Sequence, residues 1–317
     1  MSSHAPAPES PPRPRRRRPR PAAPAAGRRP GWRALLVAAR PRQWIKNLLV
    51  LAVPAAAGAL DEADVVATTA LALVAFCLAS AGTYLLNDVA DHEADRSHPV
   101  KRFRPVAAGE IPVRAALAAG AVAIAAALAV AAAARWELVA VVGAYVGLTS
   151  AYSRWLKHVA IFDIAAVASG FFLRAVAGGV AGDLYISKWF LILSGGGSLF
   201  VVTAKRYAEL RAGGEDAHAR RRVLADYSQD YLRAMLSTTA GVIVVAYCIW
   251  AFDDRGTGGT SFWTAASAVP FVLGIMRYGL LVDQGHGEEP EELLLGDRTL
   301  LALALACLGL LALGVVA

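Results

Sequence analysis

Long apolar runs separated by short polar connections dominate this chain. Runs near residues 43–60, 65–87, 112–133, 137–154, 160–181, 185–205, 229–252, 261–281 and 298–316 each approach the ~20 residues a helix needs to cross a bilayer. The pattern predicts an all-α, multi-pass membrane protein with nine transmembrane helices. A soluble fold would have to bury many helices that are hydrophobic all round in one core, a poor account of such a sequence.

Composition agrees: mean hydropathy is +0.46 and 56% of residues are hydrophobic. Charge sets the orientation. With the N-terminus in the cytoplasm, the inner connections carry sixteen Lys and Arg, and the outer ones only Arg135, Lys188 and Arg255. This satisfies the positive-inside rule, supports an odd number of spans and predicts a plasma (inner) membrane protein with its acidic chemistry facing the cytoplasm.

Residues 1–30 mix Pro, Ala and Arg, with the run Arg15-Arg16-Arg17-Arg18, and supply much of the +7 net charge. They read as a disordered cytoplasmic arm resting on anionic headgroups, ahead of a transmembrane domain over 31–317. A nucleic-acid partner is not expected, because neither interleaved aromatics nor a folded reader module accompanies the arm. The basic stretch does not lead into a signal-peptide core. Cys77, Cys248 and Cys307 lie inside predicted spans and read as small hydrophobes. Gly178 and Gly182 form a small-xxx-small pair for close helix contact. Gly195-Gly196-Gly197 is expected to interrupt the sixth span, for close packing or for a bend that opens a cavity.

The strongest chemical signal is Asn87-Asp88-Val89-Ala90-Asp91-His92-Glu93-Ala94-Asp95, at the end of the second run. On a continuous helix, Asn87, Asp88, Asp91 and Asp95 fall within an arc of about 100°. Carboxylates crowded this closely repel one another unless a cation sits among them, and oxygen-only ligands point to Mg²⁺. Three cations follow at once, Lys101, Arg102 and Arg104. Mg²⁺ and such cations together suit a diphosphate.

Asn-Asp-x-x-Asp-x-x-x-Asp followed by Lys-x-x-Arg-Pro and Gly109 resembles the UbiA superfamily of intramembrane prenyltransferases. The resemblance covers roughly residues 40–317 and implies nine transmembrane helices around a central cavity, with Mg²⁺ holding a diphosphate. One feature departs from the superfamily's usual pattern. Where a second Asp-rich motif is expected, this chain has Ala204-Lys205-Arg206-Tyr207-Ala208-Glu209-Leu210-Arg211. Cations there imply a second anion site.

That departure is similar to one branch, as are the segments at Arg42–Asn47, Tyr152–His158 and Ser169–Gly179. In this branch a polyprenyl (decaprenyl) phosphate is the acceptor and 5-phosphoribosyl 1-diphosphate the donor. Its product is a precursor of the arabinose donor for cell-wall arabinan. The resemblance implies a Mg-dependent phosphoribosyltransferase in which Asn87, Asp88, Asp91 and Asp95 hold Mg²⁺ on the donor diphosphate, assisted by Lys101 and Arg104. Lys46, and Lys205 with Arg206, are candidates for the acceptor phosphate or the 5-phosphate, with Glu209 orienting Lys205. Arg220-Arg221-Arg222 reads as a solvated or lipid-facing run.

Asp163 and Arg174 are the notable intramembrane charges, about 16 Å apart along one helix and too far to pair. Asp163 is expected to reach a ribose hydroxyl or a cation such as Lys157, or else to form a structural ion pair to a neighbouring helix, and Arg174 to form such an ion pair. Tyr84 and Tyr152 are candidates for donating hydrogen bonds to phosphate, or interfacial anchors. Asp253–Gly259 superficially resembles a soluble phosphoribosyl-diphosphate loop but reads as an outer turn. Two other functions stay open: a prenyl-diphosphate-dependent aromatic prenyltransferase, as in quinone or haem biosynthesis, and a transporter of phosphorylated lipid. Self-association of the chain is left open.

Overall fold

A computed structural model describes residues 31–220, 222–252, 262–287 and 290–316. The basic arm, Arg221 and the Asp253–Gly259 turn lie outside the described residues. Among the described residues the chain is all-helical. In order come α1 (Gly31–Ala39), a 3₁₀ helix (Pro41–Leu51), α2 (Ala52–Ala56), α3 (Ala63–Ala90), α4 (His92–Ser97), α5 (Val113–Ala134) and α6 (Trp136–Arg154). Then follow α7 (Phe162–Ala181), α8 (Lys188–Arg220), α9 (Gln229–Ala251), α10 (Phe262–Ala266), α11 (Ala268–Asp283), α12 (Pro290–Gly296) and α13 (Arg298–Val316).

Five helical stretches among the described residues are long and apolar enough to cross a membrane, not nine: Ala63–Ala90, Val113–Ala134, Phe162–Ala181, Gln229–Ala251 and Phe262–Asp283. Helix stands at the other four predicted places, and each differs for a physical reason. The first is broken into a 3₁₀ helix and a five-residue α-helix. The fourth, α6, carries Glu137 in its first turn and Arg154 in its last. The sixth runs on as the 33-residue α8, whose second half is charged. The ninth is apolar over only 17 described residues, Arg298–Gly314.

Close packing explains the glycines. A Cβ on Gly82 would stand 2.9 Å from Gly120 O, so α3 and α5 cross backbone to backbone. A Cβ on Gly178 would lie 1.8 Å from Val50 O, and α7 therefore sits directly on the 3₁₀ helix. The Gly195–Gly197 run does not interrupt α8, which stays helical throughout; Gly196 instead admits Ile243 of α9.

The two largest hydrophobic clusters both involve α7. Phe76, Leu138, Val142 and Tyr145 pack with the second half of α7, through Ala177 and Ala181. Phe200, Tyr207, Leu232, Ile243 and Val282 pack with its first half, through Ile164 and Ala168. Because α7 is shared, it fixes the two halves against each other. At 1.5 Å per residue, the 28 residues of α3 span about 42 Å, more than the ~30 Å of bilayer hydrocarbon. Its last turn, with Asn87 and Asp88, is therefore carried to the membrane edge.

Candidate functional site

The acidic motif is not one continuous helical face. α3 ends at Ala90, and Asp91 (φ −95°, ψ 1°) breaks the helix before α4 begins. Asp95 and Asp88, on either side of the break, still meet at one arginine, and both are buried, at 3% and 2% exposure. Arg104 Nη1 donates to Asp95 Oδ2 at 2.7 Å and lies 3.4 Å from Asp88 Oδ1. Arg40 Nη2 donates to the same Asp88 oxygen at 2.5 Å.

Arg40 was not singled out by its sequence pattern, yet it is central to this site. Pro41 disfavours the right-handed helical conformation at the preceding residue. The chain passes through the left-handed region there (φ 53°, ψ 61°), and the Arg40 guanidinium stacks 4.7 Å over the Tyr84 ring. Tyr84 thus stands beneath a cation that is itself bound to the motif.

Asp91 turns elsewhere, its Oδ1 lying 3.5 Å from Lys157 Nζ. Asn87 is half-buried, and Lys101 is exposed on a one-turn 3₁₀ helix. Among the described residues, no group of three or more His, Cys, Asp or Glu side chains converges to hold a metal. Of the four expected ligands, Asp88 and Asp95 are the two whose carboxylates converge on one guanidinium. These two fit Mg²⁺: their oxygens meet at one cationic nitrogen, they are hard anions, and Mg²⁺ is commonly held by one or two carboxylates together with substrate phosphates.

A second polar node lies on α7 and α8. Asp163 is fully buried and accepts from Arg206 Nε at 2.8 Å and from the Tyr227 hydroxyl at 2.6 Å. Arg206 is 2% exposed and also donates to Glu209 at 3.0 Å. Asp163 thus forms the ion pair to a neighbouring helix that was one of its two expected roles. Two other expectations change. Glu209 orients Arg206 rather than Lys205, because i,i+3 on this helix faces the node. Arg206, committed to two carboxylates, is an internal ion-pair member rather than an open phosphate receptor. Lys205, one residue along, is half-buried and has no ion-pair partner among the described residues. Tyr152 stands close enough to Arg206 to interact with it electrostatically.

Arg174 has no carboxylate partner among the described residues. Its Nε donates to Asn47 Oδ1 at 2.7 Å, Nη1 to Gly170 O at 2.8 Å and Nη2 to the Tyr145 hydroxyl at 2.8 Å. The guanidinium also stacks 4.6 Å from the Tyr145 ring. The expected ion pair is replaced by neutral acceptors and an aromatic face, which hold a buried cation without a second charge to desolvate. Through Asn47 this network fixes the segment that carries the half-buried Lys46. Tyr227 belongs to no charge run or recognisable spacing, and Asn47 was notable only as part of the Arg42–Asn47 segment, with nothing to mark it as a partner of Arg174.

The family model described as UbiA prenyltransferase family matches residues 48–303. A decaprenyl-phosphate phosphoribosyltransferase of Mycolicibacterium smegmatis is 43% identical over 286 residues, covering 87% of this chain and 90% of that protein. The protein of the same name from Mycobacterium tuberculosis H37Rv is 43% identical over 85% of this chain and 90% of its own length. That of Corynebacterium glutamicum is 41% identical, over 86% and 83%. Among solved structures, a UbiA homolog from Archaeoglobus fulgidus bound to GPP and Mg²⁺ superposes with a TM-score of 0.65 at 18% identity, covering 89% of this chain and 98% of that one. A digeranylgeranylglyceryl phosphate synthase superposes with a TM-score of 0.64 at 14% identity, over 90% and 98%.

Proposed function

Since this chain belongs to the UbiA prenyltransferase family, we propose that it transfers 5-phosphoribose from 5-phosphoribosyl 1-diphosphate to a polyprenyl (decaprenyl) phosphate, releasing diphosphate. The product would be the polyprenyl-phosphoryl 5-phosphoribose from which the arabinose donor for cell-wall arabinan is made. The observation that carries this reading is the 41–43% identity, over at least 85% of the chain, to relatives named decaprenyl-phosphate phosphoribosyltransferase. The multi-pass helical fold agrees with a lipid-borne acceptor. This reading puts the active site at the cytoplasmic face of the inner membrane, which the charge asymmetry supports.

In this reading the donor C1–O bond to diphosphate breaks and a bond forms from C1 to an acceptor phosphate oxygen. Asp88 and Asp95 would hold Mg²⁺, which when bound would supply charge to stabilise a departing diphosphate. Arg40 and Arg104 orient the two carboxylates, and they bring two further cations to the same edge. Lys101 and Lys205 are the cations assigned to the remaining phosphates. The acceptor is already anionic, so no strong base is needed and the chain acts by positioning and charge stabilisation. A prenyl-diphosphate donor fits less well, because the cationic segment at Lys205–Arg206 stands where a second acidic motif would be needed.

Incubating the purified protein with labelled 5-phosphoribosyl 1-diphosphate and decaprenyl phosphate tests the assignment. Mg-dependent formation of a lipid-linked phosphoribose is expected. Transfer of a prenyl group to an aromatic acceptor, with no lipid-linked phosphoribose, would refute it.

A further inference from the structure

Ile161 adopts φ 71° and ψ −49°, a conformation that a β-branched residue rarely takes and that the surroundings must enforce. Its side chain is 53% exposed, so side-chain packing does not hold it there. Its backbone N–H, however, donates to the Tyr227 hydroxyl at 2.5 Å. Tyr227 is itself 5% exposed and donates onward to Asp163 Oδ1, while Arg206 grips the other oxygen of that carboxylate. One hydroxyl therefore ties the turn before α7 to the buried ion pair between α7 and α8.

The same turn carries Lys157, four residues before Ile161, on the one-turn 3₁₀ helix Leu156–His158. Lys157 is the residue that reaches Asp91 of the acidic motif. Burial, and then the hydrogen bond to Asp163, push the Tyr227 phenol above its ordinary range, so it remains a donor at any physiological pH.

The geometry points to Tyr227 as a positioning residue: its hydroxyl clamps the strained Ile161 turn and thereby holds Lys157 against Asp91 at the donor-diphosphate site. This rests on the reading of the acidic motif as that site. Tyr227 touches no reacting atom and acts through Lys157.

The test is a double-mutant cycle on the affinity of the full chain for inorganic diphosphate with Mg²⁺, measured by calorimetry. Losing one hydrogen bond predicts that Tyr227→Phe weakens binding about fivefold, and Lys157→Ala by a similar factor. The double variant should bind no more weakly than Lys157→Ala alone. Glycine takes a positive φ without strain, so Ile161→Gly should return Tyr227→Phe to within about twofold of the wild type. Multiplying effects, wild-type affinity in Tyr227→Phe, or no rescue by Ile161→Gly would each overturn the clamp; a merely structural tyrosine gives additive losses.

Should Tyr227→Phe alone not purify, the comparison is made within Ile161→Gly, where the tyrosine change should leave affinity unaltered and a fivefold loss would contradict the inference. Phosphoribosyl transfer is assayed on the same preparations. Failed transfer with the coupling intact removes the proposed reaction only, and intact transfer with additive losses removes the clamp only.

Discussion

Arg206 Nε lies 2.8 Å from Asp163 Oδ2, and both side chains are almost wholly withdrawn from solvent. Removing one partner of such a pair strands the other charge, which costs far more than the pair itself contributes. Asp163→Asn is therefore expected to destabilise the protein by about 3 kcal/mol. A fall in the detergent-solubilised thermal midpoint reports it, and an unchanged midpoint would deny the pair its structural role.

Asp88 makes a different prediction. Crowded carboxylates alone would be relieved by Asp88→Asn, but this side chain is buried and bonded to two arginines. The substitution should reduce turnover by about 100-fold or more, for want of a metal ligand, and should also lower the thermal midpoint. A rise in stability would show that repulsion, not ion pairing, governs the motif.

Arg40 is the residue on which the site's geometry depends most unexpectedly. Losing a charge-assisted bond worth about 1.5–3 kcal/mol should make Arg40→Ala about 10–100-fold less active in steady-state assays. Activity within twofold of the wild type would exclude it from the site.

The Arg174 network is expected to be stability-bearing. Tyr145→Phe removes the acceptor of a 2.8 Å bond from a buried guanidinium and should cost about 1–3 kcal/mol. Thermal unfolding in detergent measures the loss. Activity per folded molecule should stay near that of the wild type.

How much of this was legible in the sequence depends on the range of the interaction. Apolar runs gave the all-helical architecture, and the Asn87–Asp95 spacing picked out the candidate site, because both are local and periodic. The span count erred where local features cut a run, such as the 3₁₀ stretch at Pro41–Leu51 and the charged ends of α6. The contact between Asp91 and Lys157 was not legible in the motif, because it depends on the helix break at Asp91. The contacts of Arg40, Tyr227 and Asn47 were invisible because their partners lie 48, 64 and 127 residues away. Only tertiary packing brings those groups together.

The central claim is that Asp88 and Asp95 hold the donor's diphosphate through Mg²⁺. Calorimetric titration of 5-phosphoribosyl 1-diphosphate, with and without Mg²⁺, into the wild type and into Asp95→Asn tests it most directly. The account predicts tight binding by the wild type only when Mg²⁺ is present, and none by Asp95→Asn under either condition. Equal affinity in the presence of a chelator, or undiminished binding by Asp95→Asn, would contradict it.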